Sequence, residues 1–310
     1  MRLGVLDVGS NTVHLLVVDA HRGGQPLPAL SEKSVLRLAE HVTPTGRLSD
    51  AGADALVSAV ATARESATRL GADDLIAFAT SAVRDASNSA GVIERVRQET
   101  GVDLDVLTGD DEACLTFLAV RRWYGWSAGR LLVLDIGGGS LEVASGLDES
   151  PDVAMSVPLG AGRLTRERLT GDPPSEATLE ELRGYVDKQL APVVRAAREV
   201  GRPDRVVATS KTFRSLARLG GAAPSSAGPR ARRVLTLTGL RQIIAFVRRI
   251  PAADLSSLEG VSTARAHQLL AGAVVAEAAM RRLHADAVEL CPWALREGVI
   301  LRRLDWLDGG

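Results

Sequence analysis

The chain has 310 residues, 45% of them hydrophobic, and a mean hydropathy of +0.07, values that suit a soluble protein with room for two cored domains. A formal net charge of −1 excludes a broadly basic nucleic-acid-binding face, though not a local basic channel, and 3% aromatic residues leave few rings for stacking bases. Two cysteines, Cys114 and Cys291, exclude a disulfide framework and a Cys-x-x-Cys metal site, and read as small core residues of a reducing compartment.

In chain order, strand patterns occupy 3–8 and 12–19, with a further strand at 29–38. The N-terminus therefore reads as a strand carrying Asp7 and not as a signal peptide. A helix is predicted over about 50–70, with Ser49 as its N-cap and Gly71 as its stop. A buried strand at 75–80, a helix at 89–101 and a strand at 104–109 follow. From Asp110 to about Tyr124, Cys114, Leu115, Phe117 and Leu118 recur at helical spacing. Strands at 131–136, 141–147 and 153–158 precede a helix at 175–199, a strand at 205–209 and a helix at 211–218. Residues 220–232, rich in Gly, Pro and Ser, read as a flexible stretch. Helices at 239–249 and 262–284, a strand at 287–290 and a helix from Trp293 to Trp306 complete the chain. Alternating strands and helices imply mixed α/β layers. The apolar segment 269–280 is too short to span a bilayer and contains Glu277, so the expected location is cytoplasmic, with no membrane partner.

One pattern occurs twice. "LGVLDVGSNTVHLLVVD" at 3–19, moved by 128 positions, lays Asp7 on Asp135, Gly9 on Gly137, Thr12 on Ser140 and Leu15 on Val143. A tight Gly/Ser/Asn turn between strands presents backbone N–H groups without obstructing side chains, which is a nest for phosphate oxygens. Gly9, Ser10, Asn11 and Thr12 form one such turn; Gly137, Gly138, Gly139 and Ser140 form the other. Asp7 and Asp135 end the strands before them. Mg²⁺ chelated by phosphate takes one or two carboxylates and several waters, and these positions can supply them. Glu142, on the same face as Ser140, is a further ligand, direct or through water. His14, the counterpart of Glu142, reads as a structural residue.

These residues resemble the two phosphate motifs of the actin-like ATPase superfamily, and within it the exopolyphosphatase / guanosine pentaphosphate phosphatase family. Asp7 to Asn11 is similar to that family's Asp-x-Gly-Ser-Asn, and Asp135 to Glu142 to its Asp-Ile-Gly-Gly-Gly-Ser-x-Glu. "ATSAVRDA" at 79–86 resembles its arginine segment, which places Arg84. "TGDDEA" at 108–113 resembles its Ser/Thr-Gly-x-Glu-Glu-Ala motif, and "ALREGV" at 294–299 its C-terminal motif. Where the family has Gly-x-Ser-Gly-Thr, this chain has "ATSKTF" at 208–213, keeping Ser210 and Thr212 but placing Lys211 at the second glycine, a likeness to short actinobacterial exopolyphosphatases. Lys211 is one of only three lysines, and a flexible ammonium meets successive phosphates as a point charge.

The resemblance implies a duplicated two-domain actin-like (ribonuclease H-like) α/β fold with an interdomain cleft. Its domains would be 1–118 and 119–296, with the helix at 297–310 packing back on the first, and a homodimer is the expected assembly. It implies release of terminal orthophosphate from inorganic polyphosphate, with Mg²⁺, or Mn²⁺ in its place, held by Asp135, Glu142 and Asp7. Arg84, Ser210 and Lys211 would meet the phosphates, as would Arg205, Arg214 and Arg218 along 205–218. Acids in a helix's first turn read by themselves as a cap. The resemblance makes Glu112 the general base and Asp111 its support. Alternatives stay open: a pppGpp 5′-phosphohydrolase, a non-catalytic sensor of pppGpp or ppGpp, and a kinase of the same superfamily, against which the altered "ATSKTF" speaks.

Overall fold

The computed structural model describes residues 1–21 and 23–307. The chain divides into two compact units, one comprising residues 1–112 and the stretch from Arg296 onward, the other Ala113–Leu295.

In the first unit β1 (Arg2–Val8), β2 (Thr12–Asp19) and β3 (Pro28–Val35) form an antiparallel meander. Then come α1 (Asp50–Arg69), β4 (Asp74–Ala79), α2 (Ser81–Arg84), α3 (Ser89–Thr100) and β5 (Leu104–Val106). The sheet order is β3-β2-β1-β4-β5, with β4 parallel to β1 and β5 parallel to β4. Parallel pairing needs covered faces, and β1 is accordingly buried along most of its length. Ser49 caps α1 by accepting from the Gly52 N–H at 3.2 Å, as its side-chain chemistry dictates. Leu56, Val60, Ala63 and Ala67 make that helix's buried stripe. The third strand ends three residues earlier than expected because Arg37 turns to φ 50° before a 3₁₀ turn at Leu38–His41. The unit boundary falls inside α4 (Gly109–Tyr124).

The second unit repeats the plan. β6 (Leu131–Ile136), β7 (Leu141–Gly146) and β8 (Val153–Val157) form the meander, followed by α5 (Ala161–Arg168), α6 (Glu176–Glu199), β9 (Arg205–Ala208) and α7 (Ser210–Leu219). β10 (Val234–Thr236), α8 (Leu237–Val247), α9 (Ala252–Leu255), α10 (Leu269–Arg282) and β11 (Ala287–Leu290) follow, and α11 (Leu295–Leu307) returns the chain to the first unit. The order β8-β7-β6-β9-β11 matches that of the first sheet, with β10 added on the far edge. Two sheets with one strand order are the duplicated actin-like α/β fold that the family resemblance implies. Each unit has its own core: one cluster includes Leu6, Leu15, Leu56 and Val96, the other Leu134, Val186, Phe213 and Val275.

Two expectations are corrected here. The helix expected over 262–284 is a 3₁₀ turn at Thr263–Gln268 followed by α10. The stretch 220–232 is irregular but organised: the Arg233 guanidinium donates to the carbonyls of Ala223, Pro224, Gly228 and Ala231 at 2.7–3.0 Å. One planar five-donor group closes the loop, and it stands just outside the residues whose composition suggested flexibility. Among the described residues no helix is long and apolar enough to cross a membrane.

Candidate active site

The two phosphate-type turns share a geometry. Gly9 N–H donates to the Thr12 carbonyl at 2.9 Å, and Gly137 N–H donates to the Ser140 carbonyl at 2.9 Å. Asp7 lies opposite His14 in the β1–β2 register, and Asp135 opposite Glu142 in β6–β7. His14 shares a 2.7 Å hydrogen bond with the Ser31 hydroxyl, in keeping with a structural residue.

Both turns are held from behind through their carbonyls. The Asn11 carbonyl accepts from the N–H groups of Leu36 and Arg37, and the Ser10 carbonyl from Ala39. In the second unit the first turn of α5 does this work: Ala161 N–H donates to the Gly137 carbonyl at 3.0 Å, and Arg163 N–H to Gly138 at 2.9 Å. A Cβ at Gly160 would lie 2.2 Å from the Gly139 carbonyl carbon, so only glycine lets α5 approach this closely. Among the described residues no hydrogen bond engages the N–H groups of Gly138 or Gly139. They remain as donors for an anion.

A second repeated element went unread in the sequence. Ala79-Thr80-Ser81 recurs as Ala208-Thr209-Ser210. Each Thr is a helix N-cap in nearly the same conformation, φ −118° and ψ −154° against φ −120° and ψ −159°. Ser81 shares a hydrogen bond with Ser10 at 2.9 Å. Thr209, fully buried, donates its hydroxyl to Asp135. Ser210 sits at φ 70°, and its Oγ is shielded from solvent with no hydrogen-bond partner. Thr212 donates to the Ile136 carbonyl at 2.9 Å and fixes the start of α7 against β6.

The first unit brings Arg84 and Glu112 together. They form a direct ion pair, with Glu112 buried and Arg84 also donating to Asp85 at 3.1 Å and to the Leu107 carbonyl at 3.2 Å. Burial opposes the Arg84 charge, but the carboxylates of Glu112 and Asp85 outweigh it and its pKa is raised. Asp111 is exposed. It accepts from the Thr108 hydroxyl at 2.7 Å, while the Thr108 hydroxyl accepts from the Asp111 N–H at 3.1 Å. That reciprocal cap fixes the helix start that presents Glu112.

Burial pushes the Asp135 carboxyl pKa up, against the opposing pull of Thr209, Arg214 and Arg265. A desolvated carboxylate one cross-strand step from a second one, Glu142, suits a divalent cation that brings its remaining ligands with the substrate. Glu142 is itself buried and accepts from Ser156 at 2.8 Å. Among the described residues no cluster of three or more His, Cys, Asp or Glu side chains could cage a metal unaided. Asp7 pairs with Arg296 of α11 at 3.9 Å.

The sequence matches the Ppx/GppA phosphatase family over residues 17–306. The chain belongs to that family. It is 63% identical over 305 residues to Exopolyphosphatase 1 of Mycobacterium tuberculosis, covering 98% of this chain and 89% of the relative. Exopolyphosphatase 1 of Mycobacterium leprae is 61% identical, with 98% and 90% covered. Among solved structures, an exopolyphosphatase from Cytophaga hutchinsonii aligns at a TM-score of 0.89 with 26% identity, over 99% of this chain and 98% of that one. The Aquifex aeolicus Ppx/GppA protein aligns at 0.83 with 25% identity, over 99% of each.

Within this Ppx/GppA chain, three arginines flank the second turn or its aspartate without having been singled out for that place. Arg163 follows the "GAG" of 160–162, and its backbone N–H is the donor to the Gly138 carbonyl. Arg265 and Arg214 pull on the Asp135 charge. The glycine pair before a basic residue at 163 was the available signal. Arg205, expected along the anion's path, is otherwise engaged: it pairs with Glu289 at 2.6 Å and lies over the Tyr124 ring at 4.9 Å, at the opposite end of β9 from Ala208.

Proposed function

We propose that this protein is an exopolyphosphatase, a phosphoanhydride hydrolase that removes terminal orthophosphate from inorganic polyphosphate. The observation that carries the reading is likeness over nearly the whole chain to proteins named Exopolyphosphatase 1, at 61–63% identity. The site residues support it with chemistry that phosphoryl transfer needs: charge neutralisation and a positioned water, with little covalent help.

Glu112 is the group that takes the proton of the attacking water. Arg84 neutralises it, and the same guanidinium has the fork geometry to meet phosphoryl oxygens. Asp111 serves as the cap that aims Glu112. The free N–H groups of Gly138 and Gly139, with the Ser140 hydroxyl, hold phosphate oxygens. Asp135 and Glu142 are the residues that would hold Mg²⁺ in the second unit, with Asp7 the counterpart in the first. When bound, the metal neutralises charge on the phosphate oxygens. Mn²⁺ has the same oxygen-ligand preference.

The test is phosphate release from polyphosphates of several lengths and from pppGpp, in Mg²⁺, in Mn²⁺ and in excess chelator. Polyphosphate should be cleaved in either metal, and Asp135→Ala should abolish turnover. Absence of release from every polyphosphate overturns the hydrolase reading. Full activity in chelator overturns the metal assignment alone.

A further inference from the structure

A cavity of about 770 Å³ opens at the start of β9, the end away from Ala208 and the second phosphate turn. It lies within the second unit. Leu132 and Val206, neighbours across β6 and β9, line it together with Val234, Leu283 and Ala285. The last turns of α6 and α10, and the residues just after them, form its walls. A cavity of this size with an apolar floor suits a ligand with an apolar body. No Phe, Tyr or Trp lines it, so a nucleobase would find no ring to stack on and the body is aliphatic.

The charges set the other end of the ligand. Arg198, Arg202, Arg205, Arg232 and Arg282 line the cavity, against the carboxylates of Asp204, Asp286 and Glu289. The C-termini of α6 and α10 face it as well, each equivalent to about half a negative charge. The excess is about one positive charge, which a monoanion balances and a phosphate monoester, at about −1.5 to −2, exceeds. Three of the guanidiniums are engaged elsewhere. Glu289 holds Arg205 at 2.6 Å and Arg232 at 2.8 Å, and Arg282 reaches Asp187, outside the lining, at 3.7 Å.

Arg198 and Arg202 differ from these. Arg198 donates to Nε2 of His284 at 3.2 Å, a guanidinium having no acceptor of its own. Arg202, beyond the end of α6, makes no hydrogen bond or ion pair among the described residues. Neither donates to a helix-end carbonyl, the usual work of arginine in that place. His284 stands at φ 55°, one residue past the C-cap of α10, where α6 has Gly201 at φ 99°. Keeping a side chain where glycine is the default has a conformational cost, and this one sets an imidazole beside Arg198.

We infer that this cavity binds an aliphatic carboxylate, its acid group held by Arg198 and Arg202 and its chain lying on Leu132, Val206 and Leu283. Guanidinium groups meet a carboxylate with paired, charge-assisted hydrogen bonds. The site is separate from the phosphate turns and does not depend on the exopolyphosphatase reading.

Calorimetric titration of the full chain with octanoate, 1-octanol and acetate tests it. Octanoate should bind at one site per chain, and more tightly by about tenfold or more than octanol, which keeps the chain, or acetate, which keeps the acid. Arg202→Gln should weaken octanoate about tenfold and leave octanol where it was. His284→Gly relieves the backbone, so the thermal midpoint should hold or rise while octanoate weakens several-fold, a combination that damage to the fold cannot produce. Octanol matching octanoate reduces the cavity to an apolar hole, and acetate matching it reduces the cavity to a cluster of charge. Unchanged octanoate affinity in Arg202→Gln or in His284→Gly places the binding elsewhere. Each of these results overturns the inference.

Discussion

Three consecutive acids open α4, yet they do different work. Asp111 exchanges hydrogen bonds with Thr108 at the surface, while Glu112 is buried against Arg84. The Arg84 guanidinium helps offset the desolvation of this buried carboxylate, so removing the charge leaves Arg84 with Asp85 and the Leu107 carbonyl. If Glu112 activates water, Glu112→Gln should retain polyphosphate affinity and lower kcat by about 10²–10⁴. Asp111→Asn should lower the thermal midpoint by an amount equivalent to about 1 kcal/mol or less, and change kcat far less. Measuring kcat, binding and thermal midpoint on both variants separates base from cap. A Glu112→Gln enzyme with near-normal kcat ends the catalytic assignment.

At the scale of elements, the two turns were legible because their chemistry is local: an Asp, a glycine and a hydroxyl at fixed spacing, present twice. The helices with clear apolar periodicity, such as α1 and α6, were legible for the same reason. What holds the turns in place was not. The donors to the Asn11, Gly137 and Gly138 carbonyls are backbone N–H groups from elsewhere in the chain, and backbone hydrogen bonds leave no side-chain signature. The helix α5 that supplies two of them was missed because it buries only Ala161, Gly162 and Leu164, too few for a periodic stripe. Arg233 was missed as the loop's organiser because its acceptors are carbonyls. The contact of α5 with the turn gives a direct test. Gly160 has ordinary helix-start dihedrals, φ −72° and ψ 144°, so alanine there meets no conformational obstacle. It meets Gly139 and Ser140 instead. Gly160→Ala should cost about 1–3 kcal/mol by overpacking, seen as a lower thermal midpoint, and should reduce kcat/KM for polyphosphate by displacing the donors. Gly184→Ala in α6, where a Cβ meets nothing within 4 Å, is the control and should stabilise by about 0.5–1 kcal/mol. Loss of activity in both variants, or in neither, breaks the link between α5 and the turn.

For the whole molecule, the first unit is discontinuous: its last helix is made after the second unit is complete. α11 is joined to the rest of its unit by Arg303 with Asp74 at 2.8 Å and Arg296 with Asp7 at 3.9 Å, and it buries Val299, Ile300 and Leu301. The ion pair at Asp74 is more than a third exposed on both sides, so it contributes about 0–1 kcal/mol. Ile300 is fully buried, and truncating such a side chain costs about 2–5 kcal/mol. Arg303→Ala should therefore barely move unfolding, whereas Ile300→Ala should move it strongly. Which part it moves is the more telling outcome. The two cores share no residue, one drawn from within 6–104 and the other from within 132–290, and units with separate cores are free to unfold in separate steps. Urea unfolding followed by site-resolved hydrogen exchange should show Ile300→Ala weakening protection in β1, β4 and α1 while β6, β9 and α10 keep theirs. Val186→Ala, in the other core, should do the reverse. If either substitution lowers protection equally in both sets, the units unfold as one, and the closing helix then couples the stability of Asp7 and Glu112 to that of the Asp135 turn.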